Sequence, residues 1–173
     1  TARLREEYLV TNLMVADEIN MVYSMFDRII AGGAVPVKEE LVLEAPEILR
    51  AEWFTQRREL GIINVGGDGI VKVGDEEYVI PHKEAIYVGR GNRHVSFRSL
   101  DPEHPAHFYF NSATAHRETG VKQVSKKDAV VMHCGSLGES NERTINRLLV
   151  KEVVPCCQLQ MGMTELAPGS TWN

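Results

Sequence analysis

The chain has 173 residues, of which 43% are hydrophobic and 25% charged, as in an ordinary soluble globular protein. The formal net charge of −5 argues against a nucleic-acid binder, and no apolar run reaches the roughly 20 residues needed to cross a bilayer. Three cysteines without the spacing of a disulfide framework fit a reducing compartment. We therefore expect a cytoplasmic protein that binds neither nucleic acid nor membrane.

The first fifty residues contain short predicted elements separated by turns. Residues 4–9 are predicted to form a helical turn, and residues 13–23 one or two strands. Residues 27–36 are predicted to form a strand that ends at a Gly-Gly pair and a proline. A short strand at 41–43 and a short helix or turn at 45–50 follow.

The middle of the chain has the clearest pattern. Short predicted strands, with glycine-rich or polar turns between them, lie at 59–65, 70–73, 78–80, 85–88, 95–97 and 107–110. Strands that recur every 8–12 residues or so are typical of antiparallel sandwiches and barrels. The sequence therefore predicts a mainly β, jelly-roll-like fold.

The last third of the chain differs in composition. Residues 113–140 are polar and rich in small side chains, and they are predicted to form a linker. Residues 141–150 suit a helix or a strand equally well, and residues 158–166 are predicted to form a strand before a Pro-Gly turn. We expect a first barrel with an N-terminal extension over 1–112, the linker, and the start of a second barrel over 141–173.

One spacing within the predicted barrel corresponds to the two motifs of cupins. Glu59, then Gly91 and His94, stand where metal-binding cupins have a glutamate and a later histidine. The His-x-His that completes such a site would fall six and four residues before Glu59, at Trp53 and Thr55. One carboxylate and one imidazole are too few ligands for a tight metal site. We expect a degenerate, metal-free barrel in which Glu59 and His94 are structural or line a pocket.

Arg57 and Arg58 directly precede this glutamate, and two interpretations of them stay open. They are either a solvated strand end with weak local ion pairs, or a group that binds the carboxylate of a sugar acid. Because neighbouring residues of a strand face opposite sides, we expect only one of the two to point inward.

Five segments, in order along nearly the whole chain, together resemble the 5-keto-4-deoxyuronate isomerase family. They are DRIIAGG at 27–33, RRELGIINVGG at 57–67, RTIN at 143–146, CQLQMG at 157–162 and ELAPG at 165–169. The resemblance covers the N-terminal portion of that family. It implies a two-cupin enzyme of bacterial pectin and uronate breakdown that assembles as a homohexamer.

The resemblance also implies a zinc ion in the second cupin. Its ligands are a His-x-His-x(4)-Glu that begins a few residues after the Trp172-Asn173 pair, and a further histidine beyond that. None of these ligands is among the 173 residues, so we expect one zinc per full-length subunit and no metal ligand or assigned catalytic residue here. At His94 the family requires no metal ligand.

The implied reaction interconverts 5-dehydro-4-deoxy-D-glucuronate and 3-deoxy-D-glycero-2,5-hexodiulosonate. An aldose–ketose isomerisation of this kind needs a base, and a cation for the substrate carboxylate. The pocket candidates are Arg57, Arg58, Glu59 and His94, with Arg143 as a more distant candidate for the carboxylate. The alternative is a catalytically silent module that binds a sugar acid or promotes oligomerisation, and we expect the 173 residues alone to be inactive.

Overall fold

The computed structural model describes residues 1–171, and its regular structure is almost entirely antiparallel β-sheet. The helix α1 (Ala2–Tyr8) comes first, and short 3-10 turns lie at Glu47–Leu49, Lys126–Asp128 and Leu137–Glu139. The strands are β1 (Ile19–Tyr23), β2 (Ile30–Ala34), β3 (Leu41–Val42), β4 (Arg58–Asn64), β5 (Gly69–Val73), β6 (Glu76–Ile80), β7 (Ala85–Val88), β8 (Val95–Ser99), β9 (Phe108–Thr114), β10 (Val121–Val124), β11 (Val130–Cys134), β12 (Arg143–Leu149) and β13 (Met161–Leu166). The prediction of a mainly β, antiparallel fold is confirmed.

The strands form three sheets. The largest has the order β1-β2-β9-β4-β7-β10, and a four-stranded sheet has the order β3-β8-β5-β6. Together these two sheets enclose the main hydrophobic core, which includes Phe54, Ile62, Phe97, Phe108 and Phe110. The third sheet, β11-β12-β13, lies against the opposite face of the six-stranded sheet.

Strand β4 lies between the two cores, and all seven of its residues are buried. Leu60 and Ile62 point into the main core, whereas Ile63 packs into the second core with Leu149 and Met161. A strand covered on both faces requires a nearly continuous apolar run, and LGII at 60–63 supplies it. The same alternation places residues 58 and 59 on opposite faces of the sheet.

The segment expected to be a linker, 113–140, contains three pieces of sheet. Strand β9 continues to Thr114, β10 pairs with β7 at the edge of the large sheet, and β11 pairs with β12. The polar composition has a physical cause, since the middle residues of β10, Lys122 and Gln123, are exposed. The division into two barrels joined by a linker stays a prediction.

Two further expectations concern the last thirty residues. The segment 141–150, left open between helix and strand, forms β12, and the strand expected at 158–166 forms as β13. Trp172 and Asn173, the last residues of the predicted second barrel, lie outside the described residues. No helix in the described part of the chain is both long enough and apolar enough to span a membrane.

Candidate functional site

An arginine-lined cavity opens where β4 begins. Its volume is about 300 Å³, and it lies between the turn that precedes β2, the 3-10 turn at Glu47–Leu49 and the start of β4. Its lining residues are Tyr23, Arg28, Ile48, Leu49, Ala51, Phe54, Arg57, Arg58 and Thr114. Three of them carry a guanidinium group and none carries a carboxylate.

Arg58 is the buried cation of this cavity, with 4% of its surface exposed. Its Nε donates to the Ser112 hydroxyl at 3.0 Å, and its Nη2 donates to the carbonyls of Arg28 and Ser112 at 2.6 and 2.8 Å. The guanidinium lies over the Tyr23 ring, 5.9 Å from its centroid. Because burial removes water from the charged form, it lowers the pKa of Arg58.

Arg57 lines the same cavity but is exposed. Its Nη2 donates to the carbonyls of Leu49 and Arg50 at 2.6 and 2.7 Å, so its side chain is directed toward the 3-10 turn. As expected, only one of the two arginines is buried, since Arg58 points inward and Arg57 stays exposed, although both line the cavity. The alternation of a strand begins at Arg58, and Arg57 precedes the strand, so its side chain is not bound by that rule.

Glu59 faces away from this cavity, is fully buried and joins the large sheet to the C-terminal segment. Its Oε1 accepts the backbone N–H groups of Gln158 and Leu159 at 2.7 and 2.8 Å. Its Oε2 accepts the Cys157 N–H at 2.7 Å and the Tyr87 hydroxyl at 2.8 Å. Four donors directed at two oxygens are the pattern that an ionised carboxylate satisfies. Glu59 therefore stabilises the packing of the C-terminal segment on the large sheet, and it does not line the arginine-lined cavity.

Tyr87 shares this buried environment. Burial has the largest effect and raises the pKa of Tyr87; the hydrogen bond with the Thr119 hydroxyl lowers it, and the hydrogen bond to the Glu59 carboxylate raises it again. The phenol therefore stays protonated and continues to donate to Glu59 across the ordinary pH range.

His94 does not meet Glu59. It is exposed, has a left-handed backbone with φ 55°, and lines a separate depression with Lys72 and Ser96 on the four-stranded sheet. The two residues at the expected His-x-His positions have contacts of their own. The Trp53 ring lies under the Arg93 guanidinium at 3.9 Å, and the Thr55 hydroxyl donates to the Asn92 carbonyl. The cupin-like spacing thus does not bring Glu59 and His94 into one site.

The implied zinc ion does not fit the residues in hand. Both carboxylate oxygens of Glu59 already accept hydrogen bonds from N–H and O–H donors, which leaves no lone pair for a metal ion. Within residues 1–171, no three His, Cys, Asp or Glu side chains lie close enough together to form a metal site. Arg143, the more distant candidate, lines a different, smaller cavity beside Glu165.

Of the nine lining residues, the sequence indicated only Arg57 and Arg58, and the polar residues that it missed include Tyr23 and Arg28. Tyr23 ends β1, and Arg28 lies in the turn before β2, where both it and Asp27 have positive φ. The sequence places them some thirty residues before Arg58, and only the pairing of β2 with β9 and of β9 with β4 brings them to the cavity. No local sequence pattern reports such a long-range juxtaposition.

Two sheets around one core, with a pocket at the end of a central strand, define a small β-barrel of the cupin type. A solved structure of an IolB-like protein from Salmonella typhimurium LT2 has a similar fold, with a TM-score of 0.56 and 15% identity. The likeness covers 73% of this chain and 46% of that one, and at this identity it supports the fold alone.

The chain belongs to the KduI/IolB family, whose model matches residues 8–173. Curated relatives from Bacteroides fragilis and Bacteroides thetaiotaomicron are 57% identical over the whole of this chain, and one from Bacillus licheniformis is 47% identical. Each is named as a 4-deoxy-L-threo-5-hexosulose-uronate ketol-isomerase. The chain spans 62% of the length of each of these relatives.

Proposed function

We propose that the protein is a ketol-isomerase that interconverts 5-dehydro-4-deoxy-D-glucuronate and 3-deoxy-D-glycero-2,5-hexodiulosonate. The observation that carries the proposal is the 57% identity, over all 173 residues, to relatives named for this reaction. We further propose that it acts in the cytoplasm, in uronate and pectin breakdown, as a homohexamer.

The reaction moves one proton between adjacent carbons and a second between their oxygens. A base that removes the proton at C2 of the aldehyde form produces an enediolate, and protonation at C1 then gives the 2-keto isomer. Among the described residues, neither candidate is placed to act as this base. The Glu59 carboxylate already accepts four hydrogen bonds, and His94 lines a separate depression on the four-stranded sheet.

We place the zinc ion of the proposed enzyme outside the residues in hand, on ligands C-terminal to Asn173. Support for this placement is that the named relatives are longer than the chain, which spans 62% of their length. The first barrel then has a scaffolding role, since Glu59 fixes the segment that leads into β13.

The proposal is tested by incubating the full-length protein, which extends beyond Asn173, with the 4-deoxy-5-keto-uronate in D₂O and following the proton NMR spectrum. We expect loss of the C1 aldehyde signals and appearance of the 2-keto isomer with deuterium at C1. No conversion by the folded, zinc-supplied protein would contradict the isomerase assignment and favour the silent sugar-acid-binding module.

The placement of zinc has its own test, which is elemental analysis of the 173-residue chain. We expect no stoichiometric zinc in the chain alone. Stoichiometric zinc that is lost in a Glu59→Gln variant would show that the metal has been placed wrongly.

A further inference from the structure

The arginine-lined cavity carries positive charge that the described residues do not balance. Arg28, Arg57 and Arg58 line it, and none of the three forms an ion pair with a carboxylate within residues 1–171. Removing a cation such as Arg58 from water without a counter-ion is costly, and the exposed Arg28 and Arg57 add positive charge beside it, so the pocket is predisposed to take an anion.

Arg58 is the residue that most clearly marks the cavity as a binding site, because its buried guanidinium is held in one position. It is more than nine-tenths buried, and its hydrogen bonds run from Nε and Nη2 to neutral oxygens of Arg28 and Ser112. The Nη1 group has no acceptor among the described residues. These bonds fix the plane of the guanidinium and engage Nε and both hydrogens of Nη2, so the two N–H groups of Nη1 remain to donate to a ligand anion such as a carboxylate.

The remaining walls indicate an organic ligand. Leu49, Ala51 and Phe54 supply apolar surface, and the Tyr23 ring supplies an aromatic face. A volume of about 300 Å³ lies at the lower end of small-molecule pockets and accommodates a six-carbon acid. A bare inorganic anion would leave this apolar surface unused.

We propose that the first barrel binds a small sugar acid in this cavity, with the ligand carboxylate on Arg57 and Arg58 and its carbon skeleton against Tyr23 and Phe54. The site is separate from the zinc-dependent reaction centre proposed above. The choice of a uronate among carboxylates rests on the proposed function, whereas the anion site itself rests on the cavity.

The test is isothermal titration calorimetry of the purified protein with D-galacturonate, with D-galactose and inorganic phosphate as parallel probes. We expect saturable binding of the uronate and none of the neutral sugar. In Arg57→Gln we expect the affinity to fall by about tenfold to a hundredfold, since a charge-assisted contact is lost. Arg57 is exposed, so this variant is expected to fold, and the thermal midpoint checks that it does.

Arg98→Gln is the matched control, because it removes the same charge from an exposed position on β8, outside the cavity lining. It should bind the uronate as the wild type does. Arg28→Gln gives a second, independent variant, and it too should weaken binding. Equal affinities of wild type and both cavity variants, or no uronate binding by the wild type, would overturn the proposal.

The parallel probes decide the ligand class. Binding of galactose as tight as that of galacturonate would refute a carboxylate-directed site, and Arg57-dependent binding of phosphate alone would refute an organic acid. Because the readout is heat of binding and not turnover, a protein without isomerase activity can still satisfy this test. An active isomerase can likewise fail it.

Discussion

At the scale of single residues, Glu59 shows how one carboxylate can occupy a motif position and serve another purpose. In the motif spacing, Glu59 occupies the position of a cupin metal ligand. Its oxygens instead accept hydrogen bonds from the three consecutive backbone N–H groups of residues 157–159 and from the Tyr87 hydroxyl. Those amides belong to a segment without regular structure before β13, so they have no strand partner of their own. The carboxylate satisfies buried donors that would otherwise destabilise the fold.

We predict that Glu59→Gln destabilises the protein by about 2–4 kcal/mol, because the amide presents a donor to backbone donors and removes charge-assisted bonds. Urea denaturation at pH 7 measures the free energy of unfolding. If the enzyme is the proposed isomerase, turnover per folded molecule should stay near that of the wild type. Lost turnover in a folded variant would instead place Glu59 in the chemistry.

Glu44→Gln is the matched control for this substitution. Glu44 is exposed and follows β3, away from the C-terminal segment, so its effect should stay within about 0.5 kcal/mol. An equal loss in both variants would mean that the four contacts of Glu59 contribute nothing specific.

At the scale of elements, the pairing of β2 with β9 depends on a glycine beneath an aromatic ring. Gly32 lies opposite Phe110, and a Cβ built on it would come within 2.2 Å of the ring. The ring has little room to move, since Phe97 stacks on it at 6.2 Å and Phe54 meets it edge-on at 6.3 Å.

We therefore predict that Gly32→Ala lowers the free energy of unfolding by about 1–3 kcal/mol through overpacking. Gly120→Ala is the control, because a Cβ there meets nothing within 4 Å and its backbone is not left-handed. That substitution should be neutral or stabilise by up to about 1 kcal/mol. Thermal or urea denaturation of the two variants compares them directly, and a neutral Gly32→Ala would contradict the packing argument.

The elements also show where sequence reasoning succeeds and where it stops. Strands β4 and β5 were predicted because the apolar residues that they bury form a recognisable pattern within each segment of the sequence. The edge strand β10 was missed, because its exposed polar residues resemble a linker. The sequence indicated two of the polar cavity residues, Arg57 and Arg58, which are adjacent in the chain. It did not indicate Tyr23 and Arg28, which reach the cavity only through the β2-β9-β4 pairing.

At the scale of the whole molecule, the six-stranded sheet is a wall shared by two hydrophobic cores. The polar counterpart of the second core is Glu165 on β13, which binds Lys83 at 2.7 Å and Lys126 at 3.0 Å. Lys83 lies in the turn between β6 and β7, and Lys126 in the 3-10 turn after β10. Asn146 on β12 adds a hydrogen bond of 2.8 Å to the same carboxylate. These contacts tie the third sheet to the edge of the barrel.

This cluster makes stability depend on acid pH in a defined direction. Hydrogen bonds from Lys83 and Lys126, with a smaller one from Asn146, lower the pKa of Glu165 from 4.5 to about 2. A carboxyl with a depressed folded-state pKa stabilises the fold fully above its unfolded pKa, and that stabilisation is lost as the pH falls from about 4.5 toward 2. Since the three charged side chains are 32–49% exposed, screening limits the gain to about 1 kcal/mol.

We predict that wild type exceeds Glu165→Gln in unfolding free energy by about 1 kcal/mol at pH 7, and that this gap falls to about a quarter of that value near pH 2.5, just above the folded-state pKa of about 2. Urea denaturation at both pH values measures it, and taking the difference between the two proteins cancels the contributions of groups common to both. Glu77→Gln, which removes one exposed ion pair with Arg98, should show a gap below about 0.5 kcal/mol at both. A gap for Glu165→Gln that persists unchanged at pH 2.5 would mean that the carboxylate charge does not hold the third sheet to the barrel.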